Sequence, residues 1–417
     1  MKHASPTLLV IAALAAAPGA HALSVKDDDV KLGLTLQIQA RAEYSDASNK
    51  NAGPGGTDYA PAEGSNGAPD DLDFYIRRAR FGLKGTWKDD YTFALVMRAD
   101  GAGSTAATKN MEFYEATIGR KIKSADGSIQ HGIEFGFMAP HYNTAGNVHS
   151  SSSFLFTNDA ITAQGALLAP RNAGIKYHLS APWISGWVDV QNVSKGSRGD
   201  GDSVNAATGW DNANADQGEG LWTSARIHIS PEGEWKMDKA QETWAGKEGK
   251  GLLIGLDIAQ NSNDMSGSDT YSTMGYGIDV VFHMDGLSAL AEYRVAENDR
   301  DSDTPDSDTN PTSQKSSAWR IQAGYALPMG DTVVEPAIRY SVFDSNEDDD
   351  KEGASFGSKD YGNSGSQIEV GVNWYLHGHA NKLQLTYLSW TGEEGATAPN
   401  DKEPSADILR AQWQLAF

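Results

Sequence analysis

The stretch "DLDFYIRRARFGLKGTW", residues 71–87, carries Arg77, Arg78, Arg80 and Lys84 among hydrophobic residues. A guanidinium is always charged and binds a carboxylate or phosphate through two parallel hydrogen bonds, so a column of them suits the holding or passing of an anion. The chain as a whole is acidic, with 34 Lys and Arg against 56 Asp and Glu and a formal net charge of −22. That balance excludes nucleic acid as an expected partner. Other residues offer less chemistry. The serines at 150–153 stand beside His149, but no G-x-S-x-G elbow and no hydrolase spacing of Ser, His and Asp accompanies them. His377-Gly378-His379 has neither cysteine nor a third ligand nearby for zinc. The acidic run "DRDSDTPDSDTN" ends on Asn310 where a helix-loop-helix calcium loop needs Glu, and it reads as a solvated surface. Neither an enzyme nor a metal or cofactor site is expected.

The elements that carry the arginines have period two. In "LTLQIQARAEY", Leu34, Leu36, Ile38, Ala40, Ala42 and Tyr44 share one face, and Thr35, Gln37, Gln39, Arg41 and Glu43 the other. Sixteen such segments begin near residues 30, 72, 91, 111, 130, 171, 183, 221, 251, 274, 287, 317, 331, 366, 381 and 406. Most approach the roughly 9–11 residues with which a tilted strand crosses a bilayer. Tight connections (88–90, 181–182, 285–286, 328–330, 378–380) alternate with long ones (45–71, 139–170, 194–220, 297–316, 344–365, 391–405). Residues 231–250 break that rule, being as long as a loop where a short turn is due. A β-sandwich has loops of similar length at both ends and apolar inner faces, which this pattern contradicts. Aromatic residues at strand ends, among them Trp87, Tyr91, Tyr325, Tyr340, Trp374, Tyr387, Trp390 and Trp413, are assigned outward as interfacial girdles. The fold class expected is therefore all-β: a transmembrane antiparallel barrel of sixteen strands, with short periplasmic turns and long extracellular loops.

The first residues fit that destination. Lys2 precedes the apolar run "TLLVIAALAAA", and Ala20-His21-Ala22 makes a small-x-small cleavage site, so residues 1–22 read as a secretory signal peptide and 23–417 as the barrel. There are 0 cysteines, so packing and the backbone ladder must hold the fold alone.

The motifs "FYIRRARFGLKGTW", "GVNWYL" followed by "NKLQLTYLSW", and the terminal "LRAQWQLAF" resemble the phosphate-selective porins O and P. The terminal Phe417 on an alternating strand resembles the assembly signal of outer-membrane barrels. The resemblance implies a homotrimer of sixteen-stranded barrels in the bacterial outer membrane, each pore narrowed by its third extracellular loop, with lipid and lipopolysaccharide around it. That loop, near 139–170, contains no Lys or Arg; its polar residues include His141, Asn143, His149 and Asp159. Phosphate specificity is accordingly not expected to carry over. The function expected is a passive channel for small hydrophilic solutes or anions; the alternative is a non-conducting structural or adhesion barrel.

Alternation assigns the site residues. With Ala79, Phe81 and Leu83 facing lipid, Arg78, Arg80 and Lys84 face the lumen, joined from other strands by Arg41, Arg98 and Glu115, by the cations Lys176, Arg226, Arg294, Arg320, Arg339, Lys382 and Arg410, and by acids that include Glu43, Asp257, Asp279, Glu292 and Glu369. A charge facing lipid at mid-bilayer costs about 2–4 kcal/mol, which enforces this choice. Arg77 is out of phase and is placed near the outer rim. A turn centred on Asp89 sets Arg98 opposite Arg80, two like charges that require a neutralising partner such as Glu115, water or the permeating anion.

Overall fold

The computed structural model describes residues 24–26, 29–47, 70–102, 111–157, 162, 171–192, 194–195, 211–212, 221–263, 269–302, 313–344, 347, 355–356, 359–360, 364–392 and 405–417. The leader assigned to 1–22 and Asp159 lie outside them. The first eight long strands are β1 (Val30–Ala47), β2 (Asp70–Trp87), β3 (Tyr91–Arg98), β4 (Glu112–Lys123), β5 (Gln130–Met138), β6 (Asn172–Ser180), β7 (Ile184–Asn192) and β8 (Leu221–Ile229). The second eight are β9 (Lys250–Asn263), β10 (Asp269–Met284), β11 (Leu287–Ser302), β12 (Ser313–Tyr325), β13 (Thr332–Asp344), β14 (Gly365–His377), β15 (Asn381–Gly392) and β16 (Ser405–Ala416). Each pairs antiparallel with the next, and β16 returns to pair with β1 from Gln37↔Ala416 to Ala47↔Ala406. The 16 strands thus close on themselves, which satisfies every backbone ladder and leaves no sheet edge in the membrane.

The strand starts agree with the period-two reading within two residues except at β10 and β12, which begin at Asp269 and Ser313 rather than near 274 and 317. Their added ends pair polar with polar, as in Thr270↔Asp301 and Gln314↔Asn298, above the apolar band where no alternation of hydrophobicity is needed. The two-residue hairpin Asp285-Gly286 has φ of 45° and 93°, the two positive values that a type I′ turn demands. A Cβ on Gly286 would also lie 3.0 Å from the Ala326 carbonyl oxygen. Gly286→Val is therefore expected to cost about 1–2 kcal/mol. The check is a lower urea midpoint for loss of the heat-modifiable folded band; an unchanged midpoint would contradict it.

Burial is inverted relative to a water-soluble protein. Ile118 is 68% and Ile321 53% exposed on the outer surface, while the guanidinium-bearing Arg294 and Arg320 are at 0% inside. An apolar exterior of this extent is stable only against lipid. One outward assignment is corrected. Trp390 shares its parity with Lys382 and so faces inward, where it is buried with Leu388, Ala406 and Ile408 at the extracellular end. There the lumen of this strand pair is apolar, and the aromatic type alone was misleading.

Candidate functional site: the lumen and its inner loop

Register places Arg80 opposite Arg98, with Trp87 opposite Tyr91 in the same ladder, as the turn at Asp89 requires. Their counter-charges are not Glu115. Arg80 donates through Nε and Nη2 to Asp100, at 2.9 Å for Nε–Oδ2, and Arg98 Nε donates to Glu112 Oε1 at 2.8 Å. Glu115 pairs instead with Lys84 at 2.6 Å. The cause is a β-bulge. Val96 faces Glu115 but Met97 faces Phe113, so Tyr114 is an extra residue and the phase of β4 switches there. Without it Arg98 would face Phe113; with it Glu112 turns into the lumen. Arg77 is a second such residue, skipped between Gln39↔Arg78 and Ala40↔Ile76. This explains the consecutive arginines: Arg77 is the half-buried extra residue of β2, just beyond the last ladder pair with β3, Arg80↔Arg98.

The bulged Tyr114 ring gathers cations. The guanidinium carbons of Arg171, Arg80 and Arg98 lie 3.7, 3.9 and 5.7 Å from its centroid. Arg171, the first residue after the loop read as 139–170, donates to the Tyr114 hydroxyl and has no carboxylate partner among the described residues. Just below, a cavity of about 530 Å3 lies against β1–β5 and is lined by Lys31, Lys84, Lys121, Glu115 and Glu134.

The opposite wall is filled. Cations and carboxylates that the alternation assigned to the lumen form directly opposed cross-strand pairs: Arg226↔Asp257, Arg320↔Glu292, Arg339↔Glu369 and Arg410↔Glu43. Arg226 reaches Asp257 at 2.5 Å and Asp279 at 2.6 Å; Arg294 bonds Asp257 and lies 3.3 Å from Glu292. Every member of this set is buried, and pairing is what makes burial tolerable.

Residues 139–157 run across the interior over this wall. His141 N–H donates to Asp189 at 3.0 Å, and its ring stacks on Trp187 with centroids 4.1 Å apart. Burial, with Lys176 and His228 adding to it, pushes the His141 imidazole well below its usual range, so it brings no charge at neutral pH. Asn143, at φ 61°, donates through its backbone to Asp257 (3.2 Å) and through its amide to the Thr162 carbonyl (2.7 Å). A π turn, Thr144–Val148, and a 3-10 turn, Ser151–Ser153, follow, leading past buried His149 to Phe154, Leu155 and Phe156. A buried loop must find donors for its carbonyls. Lys382 supplies Phe154 (2.8 Å), Asn373 supplies Leu155 (2.9 Å), Gln414 supplies Ser152 (3.0 Å) and Arg41 supplies Thr157. Arg78 bonds Gln39 (2.9 Å) and sits 5.5 Å from the Phe154 ring. Of the arginines read as pore-lining, Arg41 and Arg78 thus support the loop, whereas Arg80 and Arg98 remain half-buried in the lumen, with Arg80 Nη1 3.4 Å from Ser151 Oγ of the loop. The sequence reading did not single out Glu112, Tyr114, Arg171 or Glu242. A signal for the first two existed: Glu112 and Glu115 cannot share a face without an extra residue between them.

Comparisons agree with this architecture. A protein of Aquifex aeolicus (strain VF5) whose function is uncharacterized is 24% identical over 414 residues, covering 92% of this chain and 87% of its own. Among solved structures, OmpF of Salmonella typhi in complex with daunomycin superposes with a TM-score of 0.57 at 13% identity, covering 94% of this chain and 100% of its own. The outer membrane channel DcaP of Acinetobacter baumannii gives 0.56 at 13%, covering 94% and 99%. The anion-selective porin from Comamonas acidovorans gives 0.55 at 11%, covering 93% and 100%. These likenesses show the fold, and the sequence profile of phosphate-selective porin O and P matches residues 51–417. With a closed lumenal barrel, an inward loop and that match over most of its length, the chain belongs to the phosphate-selective porin O and P family and is a channel of the outer membrane.

Proposed function

We propose that the barrel is a passive, water-filled pore for small hydrophilic solutes, that it leans toward anions without being built for phosphate, and that it works as a homotrimer. The observation that carries the anion preference is the group around Tyr114, where the guanidiniums of Arg80, Arg98 and Arg171 meet one ring, and among the described residues Arg80 pairs with Asp100 and Arg98 with Glu112 while Arg171 has no carboxylate. Selectivity in such a pore follows the sign and position of charge along the path. The inner loop adds no Lys or Arg, since 139–170 lacks both, and His141 is neutral. A site for a multiply charged oxyanion needs more than one surplus guanidinium, so phosphate competes only as one small anion among others. Lipid covers the apolar band, and lipopolysaccharide meets the acidic loops outside.

Discrete current steps in a planar bilayer test the pore. Their absence at any voltage would favour the structural or adhesion barrel instead. The trimer is expected from the family, because outward faces look alike whether they meet lipid or a neighbour. Cross-linking in mild detergent should give species up to three times the monomer mass, and monomer alone would count against it.

A further inference from the structure

We propose that residues 231–249, between β8 and β9, are a strut that enters the barrel from the periplasmic side and fixes the inner loop through Glu242, so setting the width of the conducting path. This rests on the pore reading above and names a positioning residue for it. The other described turns at this end are far shorter, such as Asp285-Gly286. The base of the segment is pinned by Ser230, whose Oγ donates to the Leu252 carbonyl (2.9 Å) and accepts from Met237 N–H (2.7 Å). From there the chain goes inward. Met237 and Ala240 are buried with Leu253, Val281 and Leu290, and Val148 of the inner loop packs on the same cluster.

At its apex the segment is bonded on every side. The Gln241 and Thr243 carbonyls lie 3.0 and 2.9 Å from Nε2 of His283 and His379, Thr243 Oγ1 donates to Glu335 at 2.8 Å, and Trp244 stacks on His283. Between them stands Glu242, at 1% exposure. One carboxylate oxygen accepts from Arg320 Nη1 on the wall (2.7 Å), the other from Leu155 N–H of the inner loop (2.9 Å). His149 Nδ1, also on the loop, is 3.8 Å from the first oxygen. Burial opposes the charge on Glu242, but Arg320 and His149 outweigh it and hold the carboxyl well below its usual range. An anion fixed to the wall by one oxygen and to the loop by the other holds the loop against β12–β16. The same loop reaches across to β1 and β2, where Ser151 accepts from Gln37 (3.0 Å) and lies 3.4 Å from Arg80 Nη1, so its position borders the path beside Arg80 and Arg98.

The chain has 0 cysteines, which makes a direct test available. Glu242→Gln is expected to raise single-channel conductance and shrink the zero-current potential, with the heat-modifiable band retained. In the same background, cysteines at Val148 and Ala240 joined by a short bifunctional thiol reagent should restore wild-type conductance. Barrels of E242Q that conduct as wild type, or a cysteine pair that does not cross-link in assembled barrels, would overturn the strut. Should E242Q not assemble, the pair in the Glu242 chain decides: cross-linking without change in conductance supports the strut, and no cross-linking overturns it. A wild-type chain that passes no current overturns the pore reading itself.

Discussion

Replacing Arg80 and Arg98 together by Gln is expected to carry the zero-current potential from the anion to the cation side. The substitution removes two of the three guanidiniums around Tyr114 and leaves the carboxylates of Asp100 and Glu112 facing the lumen without them. The sign of the local charge therefore reverses rather than fades. The acidic extracellular loops cannot mask this, because at 0.1 M salt their field decays over about 10 Å. Assembly should hardly suffer: partly hydrated ion pairs contribute about 0–1 kcal/mol each, and the strands keep their ladders and lipid faces. An unchanged potential in folded double-substituted barrels would mean that these arginines serve only to balance Asp100 and Glu112.

The second large effect concerns the inner loop. Shortening it by removing residues 150–156 should raise single-channel conductance strongly. The segment occupies the interior over β14–β16 and buries Phe154, Leu155 and Phe156 against that wall. Its removal exposes Lys382, Asn373, Gln384 and Gln414, all of which water can satisfy, so the barrel is expected to survive. Conductance equal to that of the intact chain would show that the segment does not obstruct the path.

Much of this was legible because a barrel has one code, period two, repeated. Alternation separated Arg226, Arg294, Arg320, Arg339 and Arg410 from the lipid face, and the turn at Asp89 gave the Arg80↔Arg98 register from an index alone. Alternation could not say which inward acid meets which inward base. That depends on where phase breaks, and the bulges at Arg77 and Tyr114 each shift a partner by one residue. Glu115 was the nearest acid by parity, yet the bulge hands Arg98 to Glu112 and leaves Glu115 to Lys84. The strut was visible only as a turn of the wrong length, since Glu242 lies outside any periodic strand and its partners Arg320, His149 and Leu155 are remote in sequence. Trp390 shows the opposite failure, an aromatic read by type against the parity of its own strand.

The most direct test of a positively biased path through this barrel is the zero-current potential of the wild-type chain across a planar bilayer in a potassium chloride gradient. Discrete channels with a potential displaced toward the chloride limit, and more so at low salt, are the expected result. Channels whose potential lies at zero or toward the potassium limit would contradict it.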